Sequence, residues 1–352
     1  MRIAAVARAL PEHRHLQSEL RAALELVWRD KPGILKRLPL LHDHVRVETR
    51  HLARPIEWYM TPRTFGETND AWIECAQELG ERALRQALGA VGLSPQDVNA
   101  IFAMSVTGIA SPSLDARLAN RMGFRSDIKR MPIFGLGCVG GASGIARAAD
   151  YVRAFPDEVA ALLSVELSSL TFHRDDDSLA NVISAGLFGD GAAAVIVVGE
   201  ERARSLGLSA PRVEATRSVF YPDTEDLMGW EISESGFKIV LSPKVPELAR
   251  ARLGRDAQAF LRDHGVEHSD IGAWICHPGG PKVLEAIRDA LELTDDDVAL
   301  SWKTLAETGN LSSTSVLLVL EETLRLPHAP GTPGVLLAMG PAFCSELVLI
   351  RW

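Results

Sequence analysis

No apolar run in the chain approaches the roughly eighteen residues that a membrane-crossing helix needs, so no membrane span is expected. The opening stretch, MRIAAVARALPEHRH, meets Pro11 and charged side chains too soon for a secretory signal, and a cytoplasmic location is the expectation. Cysteine is scarce. There are four, Cys75, Cys138, Cys276 and Cys344, and none stands in a CxxC pair, so neither a zinc site nor a dithiol redox motif is expected. In a reducing compartment they should be free thiols. An excess of basic residues is also missing. Lys and Arg total 37 against 46 Asp and Glu, a formal net charge of -9, which argues against a nucleic-acid partner but leaves room for a local basic mouth. Low-complexity segments are absent. The acidic runs at 175–177 and 295–297 read as solvated loops and helix-start charges.

What is present is a globular composition, 47% hydrophobic and 24% charged, in a chain of 352 residues that can bury a large core without staples. Apolar runs of strand length recur at 3–10, 100–106, 159–167, 192–199, 273–277, 335–340 and 346–352. Several are apolar on both faces, as buried central strands are. Helical periodicity fills the intervals, for example at 70–92 and 246–265. This alternation predicts an α/β fold of stacked layers. The order of elements looks duplicated, and the change of half falls near the charged stretch 199–207. Two similar halves, 1–200 and 201–352, are therefore expected to pack directly on each other.

The densest motif is GLGCVGGASG at 135–144. A strand-like stretch leads into Cys138 and a helical pattern follows it. The glycines allow a sharp turn and close approach of a substrate. A thiol at a helix N-terminus has its thiolate stabilised by free N–H groups, and a thiolate can accept an acyl group from a thioester. A buried, inert cysteine in a glycine-packed turn is the plainer alternative. Cys75, Cys276 and Cys344 read as packing residues. His277 closes a buried strand and is followed by Pro-Gly-Gly, which removes side chains beside it. Asn310 lies in a turn before an apolar helix, where Ser312 or Ser313 could cap equally well. Cys276 and His277, adjacent in a strand, should point to opposite faces.

Cys138 in GLGCVGG, His277 in HPGGPK and Asn310 in GNLSS, in that order, resemble the Cys-His-Asn triad of type III polyketide synthases, the chalcone synthase-like enzymes. GLFGDGAAAVIVVG at 186–199 and MGPAFCSELVLIRW at 339–352 extend the resemblance over nearly the whole chain. The stretches at 107–127, 165–172 and 221–230 are similar to bacterial alkylpyrone synthases. The resemblance implies the thiolase fold, a duplicated five-layer αβαβα sandwich, and a homodimer. It implies that Cys138 carries the starter and the growing chain, with His277 and Asn310 donating hydrogen bonds to the thioester oxygen and then to the enolate of decarboxylated malonyl-CoA. His277 would also pair with the Cys138 thiolate. Phe188 and Phe237 match the two gate phenylalanines. Val106, Ser168, Thr171 and Ser312 match cavity-lining positions, and Arg50 and Lys282 are candidates for the coenzyme A phosphates. The chain departs from the family in Ala342, where many relatives have glycine. Val106 and Ser111 replace the threonine and methionine of plant chalcone synthases, which argues against a chalcone product.

The function implied is acyl transfer from an acyl-CoA starter to Cys138, decarboxylative condensation with malonyl-CoA, and cyclisation. Alkylpyrones or alkylresorcinols from medium- or long-chain fatty acyl-CoA are the expected products. No metal, flavin or nicotinamide is implied. The rivals are a ketoacyl synthase III-like enzyme that stops after one condensation, and a catalytically silent scaffold of the same fold.

Overall fold

The computed structural model describes residues 1–352. Nine strands make one continuous ladder. Their spatial order is Ala273–Cys276, Pro333–Gly340, Cys344–Arg351, Arg212–Phe220, Arg2–Ala9, Asp190–Val198, Val159–Leu167, Ala100–Met104 and Lys129–Ile133. The first four belong to the second half of the chain and the last five to the first. Pairing between these groups rests on Arg2 opposite Arg212. The ladder is thus two sheets that meet at one edge and turn to face each other.

The layer between them is built from two helices, Gly140–Ala154 and Ser315–Leu324. Ala142, Ile145, Ala148 and Ala149 of the first and Val316 to Leu320 of the second are all buried, in one cluster with residues of both sheets. A helix apolar all round has to sit in an interior. Outside the first sheet lies the long helix Phe65–Ala90, which opens on a capping box between Thr64 and Glu67. Outside the second lie Val245–Asp263 and Pro281–Ala290. Helix, sheet, helix, sheet, helix is the five-layer order of the thiolase fold. The sandwich explains the strand sequences. Val159–Leu167 and Asp190–Val198 are buried at every position because helices cover both faces.

The apolar runs mark the central strands well. Arg212–Phe220 is the strand they miss, because RVEATRSVF carries five polar side chains. A separate hairpin, Met228–Ser233 with Gly236–Leu241, also escapes the pattern and forms one wall of the site. No helix is long and apolar enough to cross a membrane. All four cysteines are free thiols.

Candidate active site

Cys138 sits in the single 3-10 turn Gly137–Val139, directly ahead of the central helix Gly140–Ala154. Two glycines make that junction possible. Gly137 has φ +53, and a Cβ there would fall 2.6 Å from Pro341. A Cβ on Gly141 would lie 2.2 Å from the carbonyl oxygen of Ser313, so only glycine lets the helix start against the Asn310 loop.

His277 follows the strand Ala273–Cys276 and stays in the ladder through its N–H, which donates to Leu337 O at 2.9 Å. It is buried, and neither ring nitrogen has a protein partner. Cys276 faces the other way, into the core of the second half. Asn310 comes just after Gly309, whose φ of +72 ends the helix Ala299–Thr308. Its main chain bridges to Phe188: Asn310 N donates to Leu187 O at 2.9 Å, and Gly189 N donates to Asn310 O at 3.0 Å. The side-chain amide is held at both ends. Oδ1 accepts from Ser312 N at 2.8 Å and Nδ2 donates to Gly279 O at 3.1 Å. This leaves one amide N–H for a ligand.

These three residues, from three separate loops, line one cavity. Val106, Ser168, Phe188 and Ser312 line it too. The thiol of Cys138 donates to Ser312 Oγ at 3.7 Å. Ser312 itself has φ +47, an uncommon conformation for a residue with a side chain. Burial pushes the Cys138 thiol up to about 11; Ser312 and Asn310 favour the thiolate, and the field of Glu166 opposes it. Burial takes His277 down to about 3. Taken singly, each group is therefore neutral at pH 7.

A second, mostly apolar chamber opens behind the first. The two share Ser168, Phe188, Trp230 and Ile239, which form a waist between them. Thr171 lines this second chamber and not the Cys138 cavity, so its sequence assignment shifts by one chamber. Phe237 requires a larger correction. It lies two residue pairs along the hairpin from Ile239 and packs against Phe65, Phe134 and Trp230, outside both chambers. The hairpin residues at the waist are Trp230 and Ile239.

Arg50 also departs from expectation. It is 4% exposed and donates to Phe188 O at 2.8 Å and Gln17 Oε1 at 3.1 Å. A coenzyme A phosphate at the surface is out of its reach. Lys282 is exposed on the first turn of Pro281–Ala290, beside Val283, which lines the cavity.

Sequence reasoning missed Glu166. Its carboxylate, fully buried, accepts from Val106 N at 3.1 Å, Thr107 Oγ1 at 2.9 Å, Ser105 Oγ at 3.2 Å and Ser313 Oγ. It ties the Val106 wall to the Asn310 loop. The signal was a lone acid in the apolar run VAALLSVEL.

A thiol, an imidazole with two unmet nitrogens and an oriented amide N–H around one cavity can transfer an acyl group and stabilise an oxyanion. With the five-layer sandwich, this defines a thiolase-fold acyltransferase. The chain belongs to the chalcone and stilbene synthase family, the type III polyketide synthases: the family's N-terminal domain matches residues 3–201 and its C-terminal domain residues 212–352. It is 52% identical to a 1,3,6,8-tetrahydroxynaphthalene synthase of Streptomyces peucetius subsp. caesius, over 99% of this chain and 93% of that one. A phloroglucinol synthase of Pseudomonas fluorescens is 30% identical over 97% of this chain and 96% of its own. The crystal structure of the 1,3,6,8-tetrahydroxynaphthalene synthase of Streptomyces coelicolor superposes with a TM-score of 0.92 at 30% identity, covering 100% of this chain and 99% of that one. Enzymes of this family work on coenzyme A thioesters without a further cofactor.

Proposed function

We propose that the enzyme builds an aromatic polyketide of the tetrahydroxynaphthalene kind, with malonyl-CoA as both starter and extender. The observation that carries this reading is the 52% identity over 99% of the chain to a synthase of that name. The cavity is compatible with it. The inner chamber shares Ser168, Phe188, Trp230 and Ile239 with the Cys138 cavity and lies on the side towards which a slim poly-β-keto chain would lengthen.

In this reading the proton of Cys138 Sγ passes to His277 as sulfur attacks the thioester carbonyl. The two charges then form together, which offsets the burial that keeps each group neutral alone. Asn310 and protonated His277 hold the oxyanion, and coenzyme A leaves with the proton. Next, malonyl-CoA occupies the emptied space. Its bond to the carboxylate carbon breaks, carbon dioxide leaves, and the electron pair passes to an enolate oxygen held by the Asn310 amide and the one N–H of the now neutral His277. The enolate carbon attacks the acyl group on Cys138, and the sulfur leaves as thiolate. Lys282, exposed next to Val283 of the cavity wall, is the residue we assign to a phosphate of coenzyme A. A homodimer is supported by Ile109 and Phe134, 47% and 51% exposed, beside the uncovered edge strand Lys129–Ile133.

A second reading, an alkylpyrone or alkylresorcinol synthase primed by a fatty acyl-CoA, is favoured by the apolar side chains of the inner chamber, Leu20, Leu24, Val27, Leu52, Ile56 and Met60. Incubation with malonyl-CoA alone, and with a panel of acyl-CoAs plus malonyl-CoA, separates the two by product mass. An aromatic polyketide from malonyl-CoA alone is expected. Products that form only with a fatty starter would replace the first reading with the second.

A further inference from the structure

Arg50 is the only arginine or lysine among the buried residues. Two of its donors are used, by Gln17 Oε1 and Phe188 O, both uncharged acceptors. It forms no ion pair. Asp190, whose field it feels, is already occupied by Ala53 N, Ser169 N and Ser169 Oγ. A buried guanidinium without a direct ion pair is costly, and this one lines the inner chamber.

A second unmet group lines the same chamber. Ser184 Oγ is buried and has no hydrogen-bond partner. The chamber thus combines apolar walls with one cation that makes no ion pair and one free hydroxyl. A fatty tail would fill the walls but leave the cation unpaired. A chain that is weakly polar along its length and anionic at its far end satisfies both. Ser168, Phe188, Trp230 and Ile239 line both this chamber and the Cys138 cavity, so the two lie back to back across a shared wall of four side chains, the point at which the far end of a bound acyl chain would have to pass.

We propose that Arg50 anchors the terminal carboxylate of the acyl chain carried on Cys138, so that the enzyme selects starters that are mono-coenzyme A thioesters of dicarboxylic acids. The guanidinium supplies the remaining N–H donors of its fork to the carboxylate, and Ser184 adds a hydroxyl. This deepens the malonyl-CoA reading and rests on it for the shortest such starter, a malonyl unit that keeps its carboxylate while the extender units lose theirs.

The test compares acylation of Cys138 by matched pairs that differ only at the far end: succinyl- with butyryl-CoA, glutaryl- with valeryl-CoA, and adipoyl- with hexanoyl-CoA. Initial rates are read by intact-protein mass spectrometry, without malonyl-CoA. In the wild-type enzyme the acid of at least one pair should load about 10- to 100-fold faster, the worth of a hydrogen bond to a charged group. Arg50→Met should bring that ratio to one or below, and Arg50→Lys should retain part of it. A wild-type enzyme that loads the neutral member faster in every pair overturns the proposal, whether or not Arg50→Met folds. An acid preference that survives in a folded Arg50→Met enzyme overturns it as well. The malonyl-CoA reading is judged separately, by the product made from malonyl-CoA alone. Aromatic product with a neutral preference would refute the anchor only. An acid preference without aromatic product would refute that reading only.

Discussion

The thiol of Cys138 gives its hydrogen to Ser312 Oγ at 3.7 Å, and the ring of His277, in the same cavity, receives nothing from the protein. Burial, the largest influence on the thiol and the sole one on the imidazole, leaves Cys138 near 11 and His277 near 3. The thiolate therefore depends on His277 as the place its proton goes. His277→Ala should leave the thiol at its raised value. Iodoacetamide alkylation of Cys138 at pH 7 should then fall by about 100-fold or more, with the rate still climbing with pH beyond 9. Equal alkylation rates in variant and wild type would remove His277 from this role.

Asn310 offers a different handle, because its Oδ1 and one N–H are already used and only the other N–H is free for an oxyanion. Asn310→Ala should lower malonyl-CoA decarboxylation by about 100- to 1,000-fold, the usual effect of losing one such donor. Acylation of Cys138 by an acyl-CoA should persist, since His277 still takes the proton. Decarboxylation is read as carbon dioxide release, acylation as protein mass. A variant equally impaired in both would mean that Asn310 acts on the fold of the loop rather than on the enolate.

Glu166 couples the site to pH through stability. Burial lifts its carboxyl to about 7, against hydrogen bonds from Ser313, Val106, Thr107 and Ser105 that pull it down. The folded protein therefore holds a proton that the unfolded chain releases at the ordinary carboxyl value of 4.5. Stability from this group is present below that value and is lost as pH rises towards 7, by up to about 1.4 kcal/mol per pH unit. Asp190, lifted to about 6 by burial, acts in the same sense. Glu166→Gln should flatten the fall in stability between pH 5 and 7, measured by denaturant unfolding at each pH. An unchanged slope would show that Glu166 is ionised in the folded protein throughout.

Ala342 carries a strain that the family's usual glycine avoids. Its φ is +53, where a Cβ crowds the following carbonyl. Ala342→Gly should stabilise the protein by about 0.5–1 kcal/mol after the greater freedom of glycine in the unfolded chain is set against the relief. The expected rise in melting temperature is about 1 °C. A fall would indicate that the alanine methyl makes a packing contact worth more than the strain.

The three site residues were legible through the resemblance of their motifs taken together, and each stands at a break that sequence marks: glycines around Cys138, Pro-Gly-Gly after His277 and Gly309 before Asn310. The apolar runs revealed the buried strands for a related reason, since a strand covered on both faces has no polar alternation to confuse. Arg50 was not legible. Its partner Phe188 lies 138 residues away in sequence, and only the folded chain shows that the arginine is interior. The waist was missed because the hairpin that supplies it is short, and its register decides which side chain faces the cavity. Phe237 and Ile239 stand two residues apart on one strand, and the sequence does not say which of them reaches the site.

The waist should set which starters the enzyme accepts. Trp230 is its largest member and Ser168 its smallest, and they border both chambers with Phe188 and Ile239. Trp230→Gly removes the indole and should open the inner chamber, while Ser168→Phe should close it. Each methylene that passes into apolar surroundings contributes about 0.8 kcal/mol, roughly fourfold in affinity. In Trp230→Gly, kcat/KM for fatty acyl-CoA starters should therefore rise with chain length, by about fourfold per carbon, until the tail reaches the far wall at Leu20, Leu24 and Val27. Ser168→Phe should suppress long starters and spare hexanoyl-CoA, which can remain on the Cys138 side. A rigid aromatic starter such as a hydroxycinnamoyl-CoA should be poor in the wild type and improve in Trp230→Gly. The profile is measured as initial rates over an even-numbered series of saturated acyl-CoAs with malonyl-CoA held constant. A chain-length profile that neither substitution moves would place the starter's tail outside the inner chamber and leave the waist without a role in selection.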